Sequence, residues 1–228
     1  YEHKASAMVY FSDIGEASRA VVEMRKLQDA AGERIVHSAE MLDSKSLASV
    51  GDATGEGLTA VLTETKAHTP EALAANVARI GELLERFALY VPARFTDDPA
   101  EQAKYWAVRS GIFPAVGGSR PAGTTCLIED VAFHIEDLPR ATAELQALIA
   151  RHGYDDACIY GHALEGNYHF IINQSFSPPA EVARYEALMN DVAELVSAGT
   201  TARSKPSMAR GATWRPSSAA SGATTPWP

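Results

Sequence analysis

The residues best suited to chemistry are two histidines, His162 and His169, which flank the dipeptide Glu165-Gly166. Apolar residues precede and follow this segment, as expected of two strands joined by a tight turn. Glycine adopts the positive φ that a two-residue hairpin loop requires, so the segment predicts a β-hairpin. Two imidazoles that face each other across such a hairpin can bind one metal ion.

The predicted hairpin determines which side chains lie opposite each other. Directly opposed residues point to the same face of a sheet, with Cβ atoms about 5 Å apart. A second interpretation stays open, in which the two histidines form a polar pair on the surface, and neither a CxxC nor an HExxH motif favours the metal site. The pairs expected from the turn are Leu164 with Asn167, Ala163 with Tyr168, and His162 with His169.

Composition and charge exclude several classes of function. The chain has 228 residues, of which 46% are hydrophobic and 21% charged, so it can form one large or two small domains with a substantial core. Its net charge of -9 makes nucleic acid an unfavourable partner. No apolar run reaches the roughly 20 residues that a membrane-spanning helix needs. We therefore expect no nucleic-acid partner and no transmembrane segment.

The two cysteines, Cys126 and Cys158, lie in segments with the character of buried strands. Two thiols of this kind indicate reduced core residues and a cytoplasmic protein, with a peripheral position at the inner face of the membrane as a second option. An iron–sulfur cluster needs four ligands, so these two cannot hold one.

Helix and strand signals alternate along the chain. Capping residues or a proline at the first position begin most of the expected helices. Residues 111–123 are rich in Gly and Pro and are expected to form an irregular loop. Strands are expected at 5–11, 35–42, 58–64, 88–93, 124–133 and in both arms of the hairpin, and helices at 14–31, 44–50, 70–87, 99–110, 138–152 and 179–196.

This order of elements predicts the fold class. Strands and helices alternate, and a hairpin lies near the end of the regular part of the chain. The pattern favours an α+β fold with a mostly antiparallel sheet and helices on one face, ferredoxin-like in character.

Three segments resemble one known family. Residues 161–169, with the pattern G-H-x-x-x-G-N-x-H, are similar to the G-H-x-x-(D/E)-G-N-x-H signature of the FAD-linked oxidase C-terminal domain. Residues 106–116 are similar to its W-x-x-R-x-G-x-x-P-A segment, and residues 128–133 to its E-D-V-A-F strand. The resemblance spans roughly residues 5–197 and is greatest to the D-lactate dehydrogenase branch, which carries an appended iron–sulfur domain.

The resemblance implies a reaction and its cofactors. Flavoproteins of this family oxidise D-lactate, glycolate and D-2-hydroxyglutarate, and a domain upstream of the one seen here binds FAD. Since the chain begins at Tyr1, close to its first expected strand, we expect that FAD-binding domain to be missing and to be the partner of residues 1–197. The resemblance further implies Zn²⁺ or a similar divalent metal.

The resemblance also implies roles for individual residues. His162 and His169 correspond to metal ligands, while Arg109 and Asn167 are expected to contact a small 2-hydroxy-acid substrate. Arg109 is suited to this because its guanidinium can bind a carboxylate through two hydrogen bonds. No catalytic or cofactor-binding residue is assigned. Glu129 and Asp130, in the E-D-V-A-F segment, either orient an imidazole or are acids at the end of a sheet.

The character of the chain changes after residue 197. Residues 198–228 are rich in Ser, Thr, Ala, Arg and Pro and show no helical or strand period, which predicts a disordered tail. If this tail is encoded by GC-rich codons, reading them one base earlier from Gly199 would give Y-D-G-S-L-K-A-E-H-G-T-G-R, which is similar to the family's next motif, E-H-G-x-G-R. We therefore predict a frameshift near Gly199 that removes the third metal ligand, and sequencing the gene there tests it.

Two further classes of function stay open on the sequence. The first is a small α+β module that binds a metal or ligand without catalysis, which a gene without a flavin-binding reading frame upstream would favour. The second is a structural interaction protein.

Overall fold

The architecture is a six-stranded antiparallel sheet with helices packed against it. The computed structural model describes residues 1–52 and 55–201, and side chains as far as residue 198. The strands lie in the order β1-β3-β2-β5-β6-β4, and every neighbouring pair is antiparallel. The strands are β1 (His3–Phe11), β2 (Ser38–Leu42), β3 (Thr59–Ala67), β4 (Thr125–Ala132), β5 (Cys158–His162) and β6 (Asn167–Gln174).

Six α-helices complete the described part of the chain. Four begin with a side-chain cap: Asp13 accepts a hydrogen bond from the backbone of Glu16, Asp43 from Ser46, Thr69 from Ala72, and Asp98 from Ala100. The helices are α1 (Ile14–Arg25), α2 (Ser44–Ser49), α3 (Pro70–Leu84), α4 (Pro99–Ser119), α5 (Leu138–Arg151) and α6 (Pro179–Thr201). The α+β class is thus confirmed, whereas most of the predicted tail lies beyond residue 201, outside the described residues.

The order of strands shows an internal repeat. In the first half, β1, α1 and β2 form a βαβ unit in which β3 lies between the two parallel strands, and α3 follows. In the second half, β4, α5 and β5 form the same unit with β6 between the strands, and α6 follows. Each half is a split βαβ motif, which is the ferredoxin-like feature expected from the sequence.

The two halves meet where β2 pairs with β5. The register of this junction, which we call the seam, places Glu40 opposite His162, Met41 opposite Gly161, and Leu42 opposite Tyr160. One hydrophobic core extends across the seam and includes buried side chains of both halves, among them Phe11, Met24, Leu145 and Phe170.

The helices cover both faces of the sheet, so the expectation of helices on one face alone is corrected. Adjacent residues along a strand point to opposite faces. Val61 belongs to the larger core, which α1, α3, α5 and α6 cover. Its neighbour Leu62 belongs to a second cluster, which receives Ile112 and Val116 from α4. We call the second side of the sheet the α4 face.

Helix α4 is longer than the sequence predicts. Residues 111–119, expected to be loop, continue the helix through Pro114 and three glycines. The helix persists because Ile112 and Val116, one turn apart, bury their side chains against the sheet. Burial of two aliphatic side chains stabilises by about 3–6 kcal/mol, which offsets the backbone hydrogen bond that Pro114 cannot donate.

The expected strand at 88–93 is wrong as well. Leu89 forms only an isolated bridge to Phe11, and the backbone N–H of Tyr90 donates to the carbonyl of Tyr10. Residues 88–93 are too exposed to form a buried strand, and Tyr90 is 65% exposed.

Candidate functional site

The hairpin that carries the two histidines has a register different from the predicted one. His169 lies opposite Tyr160, and Ile159 lies opposite Phe170. Residues Ala163–Glu165 form a short 3-10 turn instead of strand, which makes the loop longer than two residues. His162 consequently pairs with Glu40 across the seam and not with His169.

Glycine conformation explains the longer loop. Gly161 has φ of 142° and Gly166 has φ of 73°, both in the region that side chains disfavour. Gly166 lies so close to Phe133 that a Cβ atom there would collide with the carbonyl oxygen of Phe133. The N–H of Phe133 in turn donates to the carbonyl of Gly166, at 2.8 Å. These contacts tie the turn to the end of β4.

The two imidazoles are nevertheless neighbours. Shifting a register by two residues preserves the face to which a side chain points. His162 and His169 therefore still share the α4 face, with ring centroids 5.4 Å apart in an edge-to-face arrangement. The sequence thus predicted the proximity of the two rings correctly, although the predicted backbone pairing was wrong.

Glu40 is the central acidic group of this cluster, and no sequence motif pointed to it. Its side chain is only 5% exposed. Oε2 accepts a hydrogen bond of 2.8 Å from Nε of Arg109, and Oε1 lies 2.6 Å from Nδ1 of His162. Glu40 is the one charged residue of its strand, which was a usable signal, but the partner strand could not be inferred without the sheet order.

A second carboxylate faces the other imidazole. Asp130, in β4, lies opposite His169 in the register, with Oδ1 3.3 Å from Nδ1 of the ring. Asn167 donates to the same Oδ1 at 2.6 Å and to the carbonyl of Val131 at 3.2 Å. The amide of Asn167 therefore holds the carboxylate of Asp130 in place. The expected contact between Asn167 and a substrate stays a prediction.

Glu129 does not belong to this cluster. As the neighbour of Asp130 in the strand it points to the opposite face, where it accepts a hydrogen bond of 2.5 Å from the hydroxyl of Tyr185 in α6. Of the two acids that the sequence offered as partners for an imidazole, only Asp130 is in reach of one.

An aromatic ring connects the arginine to the imidazoles. The guanidinium carbon of Arg109 lies 4.6 Å from the ring centroid of Tyr160, and the ring of His169 lies 5.5 Å from that of Tyr160. This cation–π contact holds the guanidinium above the sheet. Since Nε of Arg109 is engaged by Glu40, the two terminal nitrogens carry the remaining N–H donors of the fork.

The electrostatic environment favours a neutral His169. Burial lowers the pKa of this imidazole, and the positive charge of Arg109 and the neighbouring His162 act in the same direction, while Asp130 opposes them. A neutral imidazole has a lone pair that can accept a proton or a hydrogen bond. The cluster thus combines a cationic fork with a basic ring on one face.

A complete metal site is not found among residues 1–52 and 55–198. No group of three His, Cys, Asp or Glu side chains converges there. Each imidazole faces a carboxylate with Nδ1, which is the usual support of a metal-bound histidine, but two ring nitrogens fall short of the three protein ligands of a catalytic zinc site. The described residues therefore do not fit the ion by themselves.

Comparison with known proteins decides the family. The model of the family described as "FAD linked oxidases, C-terminal domain" matches residues 1–200. The chain belongs to this family. The resemblance found in the three sequence motifs is thereby confirmed, and with it the link to FAD and to oxidoreductases. A search of curated protein sequences found no match.

Solved structures share the fold of this FAD-linked oxidase C-terminal domain. An alkyldihydroxyacetonephosphate synthase matches with a TM-score of 0.60 and 11% identity, over 86% of this chain and 39% of that protein. A p-cresol methylhydroxylase with substrate bound matches with a TM-score of 0.52 and 14% identity, over 84% of this chain and 42% of that protein. The chain thus spans about two fifths of the length of these two proteins, whose names indicate different substrates.

No helix in the described part of the chain combines the length and the apolar character needed to cross a membrane.

Proposed function

We propose that this domain supplies the substrate site of an FAD-dependent 2-hydroxy-acid dehydrogenase, similar to D-lactate dehydrogenase. The convergence of Arg109, His162 and His169 on the α4 face carries the proposal. A 2-hydroxy acid presents a carboxylate and a neighbouring hydroxyl, and the cluster offers one partner for each. The side chain of His162 is 52% exposed, so the cluster is accessible to a substrate and to a flavin held by a partner domain.

Arg109 binds the substrate carboxylate through its two terminal nitrogens. The guanidinium remains charged, and its planar fork matches the two carboxylate oxygens. Contacts with Glu40 and Tyr160 fix its position before the substrate arrives. Such preorganisation lowers the entropic cost of holding the substrate in the reactive orientation.

The imidazoles receive the hydroxyl group. Neutral His169 accepts the hydroxyl proton through a ring nitrogen. At the same time the hydrogen on the carbon that bears this hydroxyl leaves with its electron pair, as a hydride. FAD, when bound by the partner domain, supplies the acceptor for that hydride. Asp130 stabilises the positive charge that His169 gains on protonation.

A divalent metal remains part of the proposal, but no step of the reaction is assigned to it. The resemblance implies Zn²⁺ at His162 and His169, and the third ligand expected for it falls in the sequence read from the alternative frame. The cytoplasmic location likewise remains a prediction, supported by Cys126 and Cys158 being free thiols.

Flavin reduction in a reconstituted flavoprotein tests the function. The 228-residue chain, expressed alone, should show no flavin absorbance, and joined behind an FAD-binding domain of this family it should bind flavin. We expect flavin reduction by D-lactate or glycolate but not by propionate, which lacks the hydroxyl. A flavin-loaded protein that none of a panel of 2-hydroxy acids reduces would contradict the proposal.

A further inference from the structure

Glu40 is a buried charge in the middle of the sheet. It lies in β2 opposite Leu62 on one side and opposite His162 on the other. Removing a carboxylate from water costs several kcal/mol unless partners compensate it. Its two oxygens each have one partner, and these come from two different elements, α4 and β5. A single side chain therefore connects the helix that carries the arginine to both sides of the seam.

The partners determine which atoms carry protons. Arg109, whose guanidinium is permanently charged, donates to Oε2 and forms an ion pair with the carboxylate of Glu40. An ionised carboxylate can only accept hydrogen bonds. Nδ1 of His162, 2.6 Å from Oε1, must therefore carry a hydrogen, and the neutral ring keeps its lone pair on Nε2.

We propose that Glu40 is a positioning residue that orients the guanidinium of Arg109 and selects the tautomer of His162 with its lone pair on Nε2. The consequence for turnover rests on the proposed function, whereas the tautomer does not. Glu40 acts on the substrate only through these two side chains.

Glu64 provides a matched control. It lies in β3 on the same face of the sheet as Glu40 and is 7% exposed, but its partners are the ammonium groups of Lys4, at 3.4 Å, and Lys66, at 3.0 Å. A Glu64→Gln substitution removes a buried negative charge of the same sheet without touching the cluster. A general effect of losing such a charge would appear in both variants.

The tautomer can be measured directly by NMR. Two-bond ¹H–¹⁵N spectra of the 228-residue chain at about pH 8, where an ordinary imidazole is neutral, distinguish the two ring nitrogens. We expect His162 to be protonated on Nδ1 in the unmodified chain and after Glu64→Gln. Glu40→Gln should produce a mixture, because an amide can either accept or donate at this position.

Several results would overturn the inference. Protonation on Nε2 in the unmodified chain would do so without any variant. An unchanged His162 spectrum in folded Glu40→Gln would do so as well. If Glu40→Gln does not fold, Glu40→Ala takes its place: it removes the acceptor for Nδ1–H, and an unchanged His162 spectrum in folded Glu40→Ala has the same meaning.

Kinetics of the reconstituted flavoprotein give the second readout. Since Arg109 holds the substrate carboxylate in the proposed function, we expect Glu40→Gln to raise KM at least about tenfold, the effect of weakening one charged hydrogen bond. Glu40→Asp should recover part of the loss, and Glu64→Gln should leave KM unchanged. Equal KM values in Glu40→Gln and the unmodified enzyme would refute the role in positioning.

The two experiments also separate failure of the inference from failure of the function. A flavoprotein that oxidises no 2-hydroxy acid contradicts the proposed function, but the NMR result still decides whether Glu40 selects the tautomer.

Discussion

At the scale of single residues, the cluster shows how one buried carboxylate can set the orientation of one neighbouring side chain and the tautomer of another. Glu40 and Asp130 each face Nδ1 of an imidazole, so Nε2 is in both rings the nitrogen that lies farther from the carboxylate. The sequence pointed to the two histidines through their spacing and to Arg109 through the family resemblance of its segment. It could not identify Glu40, because the contact joins strands that are 122 residues apart in sequence.

Zinc titration tests the two-ligand arrangement. We expect the 228-residue chain to bind Zn²⁺ weakly, because two imidazoles leave the coordination shell incomplete. A chain continued in the alternative frame after Gly199 should bind it more tightly, and His162→Ala or His169→Ala should abolish that binding. Calorimetry is the measurement, and His134→Ala, which alters an exposed histidine outside the cluster, is the control.

A single variant with unchanged zinc affinity would disprove the shared site. If His162→Ala or His169→Ala bound zinc as tightly as its parent, the two histidines would not be co-ligands. If the chain bound zinc weakly in both reading frames, the frameshift would not be the cause of the weak binding.

The burial of His169 predicts a pH dependence of stability. Because burial lowers its pKa in the folded protein, the unfolded chain binds more protons as the pH falls below about 6.5. Stability should therefore be lost as the pH falls from this value through the lower pKa of the folded state. The free energy of unfolding, measured with urea from about pH 5 to about pH 8, should rise with pH more steeply in the unmodified chain than in His169→Gln. Parallel curves would contradict the assignment.

At the scale of elements, local patterns predicted which segments are regular but not how far they extend. Asp13, Asp43 and Thr69 marked helix starts correctly because capping depends on neighbouring residues alone. The end of α4 was predicted wrongly because Gly and Pro signals were overridden by burial of Ile112 and Val116. The hairpin register failed for a similar reason, since Gly166 is fixed by a contact with β4.

Alanine at Gly166 tests whether that contact determines the turn. Gly153 provides the comparison, because its φ of 74° is nearly the same and the nearest atom to a Cβ placed there, Nη1 of Arg184, lies 4.0 Å away. Gly153→Ala should cost about 1–2 kcal/mol for the strained backbone alone. Gly166→Ala should cost about 1–3 kcal/mol more, because its Cβ meets the carbonyl of Phe133. Urea denaturation of both variants measures the difference, and equal losses would show that the contact is unimportant.

At the scale of the whole molecule, the two halves share one core. Helix α1 of the first half packs against α5 of the second, and Phe170 is fully buried in a cluster that also contains Phe11. We infer that neither half has enough buried apolar surface of its own. The fold should consequently unfold as one cooperative unit.

Truncation of Phe170 tests this cooperativity. We expect Phe170→Ala to cost about 3–5 kcal/mol, and to lower amide-exchange protection in β1 as much as in β6. Phe113→Ala, at a residue of α4 that is 41% exposed, should cost little. Loss of protection confined to β4, β5 and β6 would show that the halves are independent.

The internal repeat has a consequence for fragment complementation. A cut in the segment 85–98, between α3 and α4, would leave Glu40 on one peptide and Arg109, His162 and His169 on the other. This segment is the covalent link between the halves in the described part of the chain. Cutting it therefore converts folding from a unimolecular into a bimolecular process. Each peptide would then report on its complement, because only the reassembled pair holds both the glutamate and the groups that it orients. A chain cut in this way would act as a split sensor, because the complete cluster forms only when the two peptides assemble.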